Sequence, residues 1–308
     1  MSTQGILEEL PTILALDDCD LDDLCRTAER RYRRYPLVGP GKIRWIEAPD
    51  AVLKTVQRRL LDGLLYRIPP TRYAQGFVPG RSIVTHARAH CCREWVVTTD
   101  LADFFPSVTS YMIRRVAGVL PLSAVDRERV VQLVMLRDRL PQGAPTSPHL
   151  ANLATRRMDV ALGELALLRG WRYSRYADDL AFSGDTSPGS LTRDIEGAVR
   201  QFGFRLRRHK TRCMGRHRRQ QVTGLVVNDG VTVPRPVRRC LRAAVHQIAL
   251  DGWSSVSPIV RDQIAGRLAF AACVMPEAHE ALRRDLLAAC PGHGEQLTQF
   301  PACSRATP

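Results

Sequence analysis

The chain has 308 residues, 44% hydrophobic and 25% charged, ordinary values for a globular protein long enough to bury a sizeable core. Lys and Arg number 45 against 31 Asp and Glu, a formal charge of +14; that excludes an acidic surface and makes polyanions, nucleic acid first, the leading class of partner. No apolar run is long enough to span a bilayer and no secretory leader opens the chain, so the expectation is a soluble, cytoplasmic protein with no membrane partner.

In chain order, residues 6–35 read as helix and end in a basic cluster at Arg30, Arg31, Arg33 and Arg34. G-P-G-K-I-R-W-I-E-A-P (39–49) alternates and reads as strand or hairpin. Its G-P-G-K is no phosphate loop, because Ser or Thr does not follow Lys42 and Pro36 stands where the first glycine belongs. Asp50 caps an amphipathic helix with Val52, Leu53, Val56, Leu60, Leu64 and Leu65 on one face. Residues 81–92 read as helix, and W-V-V-T-T-D-L (95–101) as a β-branched strand with Asp100 near its end.

Further on, 107–138 is mostly helical, 141–148 is a turn-rich loop, and 149–168 reads as one long helix. Two short strands flank Asp178 and Asp179, and 191–203 returns to helix. V-T-G-L-V-V-N-D-G (222–230) reads as a strand ending in a turn, and 235–290 as three helices. Strands alternate with helices to about residue 230 and then stop, which predicts an α+β catalytic part followed by a helical module.

The nine cysteines form no C-x-x-C pair, which fits a reducing compartment. Cys213 and His217 have no second pair nearby to complete a zinc site. Only Lys42, Lys54 and Lys210 are lysines; the other 42 basic residues are arginines. A lysine can release a proton where an arginine effectively cannot, so these three positions stand out.

The chemistry concentrates in R-Y-S-R-Y-A-D-D-L-A-F-S (172–183). Adjacent carboxylates between apolar strand arms need a partner, and a metal ion is the partner a sequence does not show. With Asp100 at the end of another strand, three carboxylates could clamp two divalent ions about 3.5–4 Å apart, the arrangement that stabilises attacking and leaving oxygens in phosphoryl displacement. Magnesium suits such hard oxygen donors, with manganese as the alternative ion.

These motifs resemble those of the reverse transcriptases, and within them the bacterial retron type. Y-A-D-D (176–179) is similar to their catalytic box, T-D-L-A-D-F-F-P-S-V (99–108) to the box supplying the first aspartate, and L-P-Q-G-A-P-T-S-P (140–148) to the substrate-side loop. K-I-R-W-I-E-A-P (42–49), the following L-K-T-V-Q-R-R-L helix and Q-G-F-V-P-G-R-S (75–82) resemble fingers elements. The order matches from about residue 40 to 275.

The resemblance implies a right-hand polymerase: N-terminal helices and fingers over 1–94, a palm with an antiparallel sheet over 95–230, and a helical thumb with a short tail over 231–308. It implies that Asp100, Asp178 and Asp179, with the Leu101 backbone, hold the metals. Phe105 would be the steric gate against a 2′-hydroxyl, with Phe104 the core residue of the pair. Lys42, Arg44, Gln142 and Gly143 would meet the incoming nucleotide, and Lys210 would protonate the leaving pyrophosphate; Asp103 reads as structural. For RNA, His90 in H-A-R-A-H, Val222-Thr223-Gly224, and Arg261 and Arg267 around I-A-G-R-L-A-F-A-A-C-V-M-P (264–276) match retron elements. His86 stands where the retron segment has asparagine.

The implied activity is copying of one cognate noncoding RNA into DNA from deoxynucleoside triphosphates. It starts at a guanosine 2′-hydroxyl and leaves a branched RNA–DNA hybrid, in an antiphage module with a separate effector protein. The rivals are a group II intron-like or diversity-generating reverse transcriptase, and a noncatalytic RNA-binding scaffold. The short stretch after the thumb-like helix argues against the intron type, Q-G in the 140–148 loop against the diversity-generating type, and the intact aspartates against the scaffold.

Overall fold

The computed structural model describes residues 7–39, 42–252, 256–277, 280 and 284. Helices α1 (Leu10–Leu14) and α2 (Asp18–Thr27) open the chain, followed by strands β1 (Tyr32–Gly39) and β2 (Lys42–Pro49) and helices α3 (Ala51–Gly63) and α4 (Ile83–Arg88). Then come β3 (Trp95–Asp100), α5 (Ser110–Ala117), α6 (Ala124–Val134), α7 (Ser147–Ala154), α8 (Arg156–Leu167), β4 (Arg172–Tyr176), β5 (Asp179–Gly184) and α9 (Leu191–Gln201). The C-terminal elements are β6 (Arg212–Gly215), β7 (Gln221–Val222), β8 (Leu225–Val226), α10 (Arg235–Asp251) and α11 (Pro258–Val274).

The described residues fall into two compact units. One draws on Met1–Pro79, Thr98–Phe182 and Pro188–Arg212, the other on Gly80–Val97, Ser183–Ser187 and Cys213–Pro308. A four-stranded sheet runs in the order β4-β5-β3-β6. The α+β class read from the sequence holds.

In the first unit, β1 and β2 form an antiparallel ribbon with Tyr35 opposite Ile46 and Leu37 opposite Arg44. Helix therefore ends earlier than the sequence suggested: Pro36 cannot sit inside a helix, and the partner strand claims the backbone groups from Tyr32 onward. Asp50 caps α3 by accepting the Leu53 N–H at 2.8 Å, and Leu53, Val56 and Leu60 are buried as expected. Val52 is not: it lies in the first turn and is 54% exposed. The single helix expected over 149–168 is two. The Thr155 hydroxyl donates back to the Ala151 carbonyl at 2.8 Å, a contact that disturbs helices, and Thr155 (φ −84°, ψ 0°) separates α7 from α8, which starts at Arg156.

In the second unit, Leu241, Val245 and Ile248 of α10 pack on Ile264, Leu268 and Ala271 of α11, each large aliphatic side chain contributing about 1.5–3 kcal/mol. The expected strand over 222–230 is instead a minimal hairpin. Thr223 (φ 45°) and Gly224 (φ 82°) are its two central residues, the paired positive φ values of a type I′ turn. Of the third helix expected before residue 290, Pro276, Glu277, Glu280 and Arg284 are described and are helical; the rest lies outside the described residues.

Candidate active site

Two strands of the central sheet place the three aspartates. In β3, buried Val96 and Val97 anchor the strand, and Asp100 is its last residue. In β4 and β5, Tyr173, Leu180, Ala181 and Phe182 are buried, so the intervening turn is held from both sides. Ala177 takes φ 54° there, a conformation unusual for a residue with a Cβ. The Leu101 N–H donates to the Asp178 carbonyl at 2.9 Å, tying the end of β3 to the turn.

The consequence is crowded like charge. Burial, followed by the negative charges of Asp100 and Asp178, pushes the Asp179 carboxyl up to about 7. Lys210, at the end of a 3₁₀ turn over Arg208–Lys210, offsets this with an ion pair to Asp100.

A cleft of about 820 Å³ opens over these groups. Arg44, Asp100, Phe105, Gln142, Asp178, Asp179 and Lys210 all line it, seven of the residues singled out from sequence. Gly143 backs the wall at φ 144°: a Cβ there would stand 2.8 Å from the Glu47 carbonyl oxygen. Lys42 belongs to β2, and its side chain lies outside what is described. Phe104 is 5% exposed and packs toward Phe204, though it reaches the cleft lining; Phe105 is half-buried on the same lining, 6.1 Å from Phe77.

Sequence reasoning missed Arg34, Trp45, Glu47, Phe77, Arg139 and Arg207, which also line the cleft. Arg34 sits over the Trp45 ring at 4.3 Å, and Arg139 pairs with nearly buried Glu47 at 2.6 Å. Alternation along the ribbon was the available signal for Arg34 and Trp45; nothing local marked Arg139. Asp103 lines the cleft too, 3.6 Å from Arg207.

Residues 33–227 match the family model for reverse transcriptase (RNA-dependent DNA polymerase). The chain belongs to the reverse transcriptase family. It is similar to the retron Mx65 and Mx162 reverse transcriptases of Myxococcus xanthus, each 39% identical, over 79% and 67% of this chain and 61% and 50% of those proteins. It is 31% identical to the retron Ec86 reverse transcriptase of Escherichia coli, over 84% of this chain and 81% of that protein. The chain thus spans between half and two thirds of the Myxococcus relatives it matches. Its α+β fold is the right-hand polymerase fold of the reverse transcriptases, and its kinship within them is to the retron type.

The residues of this reverse transcriptase matched to retron RNA elements lie in the second unit. His90 is fully buried, its Nδ1 2.8 Å from the Ser183 hydroxyl and its ring edge-on to His86, so its direct neighbours are protein. Val222 is buried, while Thr223 and Gly224 form the hairpin tip. Arg261 Nε donates to the Val256 carbonyl at 2.8 Å, and Arg267 is exposed.

Among the described residues no three His, Cys, Asp or Glu side chains are already gathered as a metal-holding set, and Asp100 is engaged by Lys210. The donor chemistry nevertheless fits a hard divalent cation. Asp100, Asp178 and Asp179 offer only carboxylate oxygens, the donors such an ion takes. Among the described residues no helix is long and apolar enough to cross a membrane.

Proposed function

We propose that this chain is an RNA-directed DNA polymerase that copies a cognate structured noncoding RNA into single-stranded DNA. The observation that carries the reading is that Asp100, Asp178 and Asp179 line one cleft together with aromatic and basic side chains. Asp100, Asp178 and Asp179, with the Leu101 backbone, would hold two magnesium ions, manganese being the alternative. When bound, these neutralise charge on the attacking and leaving oxygens.

The chain's own groups do the rest. Arg44 and Arg34 face the cleft as guanidinium forks suited to a triphosphate, with Lys42 on the same strand as Arg44. Phe105 puts a ring where a 2′-hydroxyl would need room. Gln142 and Gly143 line the nucleotide side. Lys210, beside Asp100, carries a proton to departing pyrophosphate. In the second unit, the Thr223–Gly224 tip, Arg261 and Arg267 take the RNA, and His90 supports that surface from within. The limits 1–94, 95–230 and 231–308 for fingers, palm and thumb belong to the same reading.

The finer reading is that of a retron enzyme. DNA starts from a 2′-hydroxyl of the cognate RNA, the product is a branched RNA–DNA hybrid, and a separate effector protein completes a cytoplasmic antiphage module. The similarity to three retron reverse transcriptases supports it. The test is the nucleic acid that co-purifies from the native locus, run on a denaturing gel with and without RNase and debranching enzyme. An Asp178→Ala/Asp179→Ala variant runs alongside. A discrete DNA that needs the aspartates and shifts on debranching is expected. DNA without a branch removes the retron mechanism, and RNA without DNA in both samples removes the polymerase.

A further inference from the structure

Arg175 lies two residues before the turn, in β4, and is completely buried. A buried ion pair is weak evidence for stability, because desolvating two charges cancels much of their attraction. Its geometry is more informative. A guanidinium has five N–H donors, and all five are used. Nε donates to Asp159 Oδ1 at 2.8 Å and Nη2 to Asp159 Oδ2 at 2.7 Å, the bidentate fork. Nη2 also donates to the Thr155 hydroxyl at 2.7 Å, and Nη1 to Asn152 Oδ1 at 3.1 Å. The fifth bond runs from Nη1 to the Ala177 carbonyl at 3.0 Å.

Four of these bonds hold the guanidinium to α7, α8 and the residue between them. The fifth reaches the catalytic turn. The Ala177 carbonyl belongs to the peptide group before Asp178, and the Asp178 carbonyl, in the peptide group after it, accepts the Leu101 N–H. Both peptide planes that bracket Asp178 are therefore held, and together they set the direction in which its carboxylate leaves the backbone. Asn152 extends the frame by donating to the Gly76 carbonyl at 2.9 Å, while a Cβ on Gly76 would lie 2.6 Å from the Ala177 nitrogen. The strained Ala177 is thus enclosed by groups that over-determine its conformation.

We propose that Arg175 is a positioning residue for Asp178, acting through the Ala177 carbonyl, with the bidentate Asp159 and with Asn152 as its fixed mounting; the Thr155 bond is dispensable to it. The catalytic consequence rests on the polymerase reading above; the structural one does not. Lysine at this position keeps the charge but has three donors and no planar fork, so it cannot hold the mounting and the turn together.

The test uses the full chain carrying Arg175→Lys, with Thr155→Val as the comparison that removes an Arg175 bond not reaching the turn. Folding is followed by thermal melting. The kcat and KM for dTTP are measured on poly(rA)·oligo(dT), and hydrogen exchange is read at the Leu101 amide, whose acceptor is the Asp178 carbonyl. Arg175→Lys should lower kcat by at least about tenfold with KM within about twofold. It should also speed Leu101 exchange, while Thr155→Val does neither. The proposal is overturned if Arg175→Lys leaves Leu101 exchange and kcat at parental values, or if Thr155→Val changes both as much. Should Arg175→Lys not fold, Arg175→Met/Asp159→Asn removes both buried charges while the asparagine keeps an acceptor for the Tyr173 hydroxyl, and it is read the same way. If the parent itself copies nothing, the polymerase reading fails and Leu101 exchange alone decides the role of Arg175.

Discussion

The Glu47 N–H donates to the Gln142 carbonyl at 2.9 Å, joining the β1–β2 ribbon to the Leu140–Gly143 loop. Arg139 reinforces the joint through the Glu47 carboxylate, and Gly143 makes it close, since its Cβ position is filled by the Glu47 carbonyl and the Ile46 side chain. The ribbon, otherwise exposed along β1, is thereby fixed as one wall of the cleft.

Gly143→Ala should therefore open this joint. At φ 144° an alanine is strained before it meets any neighbour, at a cost of about 1–3 kcal/mol. The expected outcome is a lower Tm, seen in thermal melts, and a KM for deoxynucleotide raised several-fold in steady-state assays. A parental KM would show that the ribbon and loop do not meet the nucleotide together.

Asp179→Asn should separate stability from activity. Its carboxylate is half-buried beside two others, so in metal-free buffer at neutral pH the neutral amide relieves both desolvation and repulsion. Each kcal/mol relieved raises Tm by about 2–4 °C. DNA synthesis should fall by at least about 100-fold, as for loss of a group acting in the transition state. An unchanged or lower Tm would contradict the crowding.

Phe105→Val should relax sugar selection at little cost in stability, because Phe104 and not Phe105 carries the core contacts. Competition between dCTP and CTP during primer extension should show ribonucleotide incorporation rising at least about tenfold. If discrimination stays as in the parent, another wall excludes the 2′-hydroxyl.

Burial holds His149 below its ordinary value of 6.5, with its Nε2 2.9 Å from the Leu65 carbonyl. The folded value is the lower one, so on acidification the unfolded chain takes up this proton first. This stability is fully present above about pH 6.5 and is lost as pH falls from there through the lower folded value. Thermal melts between about pH 7 and pH 5 should slope less steeply for His149→Gln than for the parent. Equal slopes would assign the acid sensitivity elsewhere.

Much of the candidate site was legible in sequence. The β-branched run ending at Asp100, the apolar arms around Asp178 and Asp179, and the order of the motifs depend on local pattern, and local pattern survives folding unchanged. The helix over 149–168 and the strand over 222–230 were misjudged because one hydroxyl turning back at Thr155, and two residues taking positive φ at Thr223 and Gly224, outweigh propensity summed along a window. Tertiary structure alone decided the roles of Glu47, Arg139 and Arg175. In sequence each is a charged residue that belongs at the surface. In the fold, Arg175 finds Asp159 sixteen residues away and Glu47 finds Arg139 ninety-two residues away, and only such a partner makes a buried or nearly buried charge tolerable.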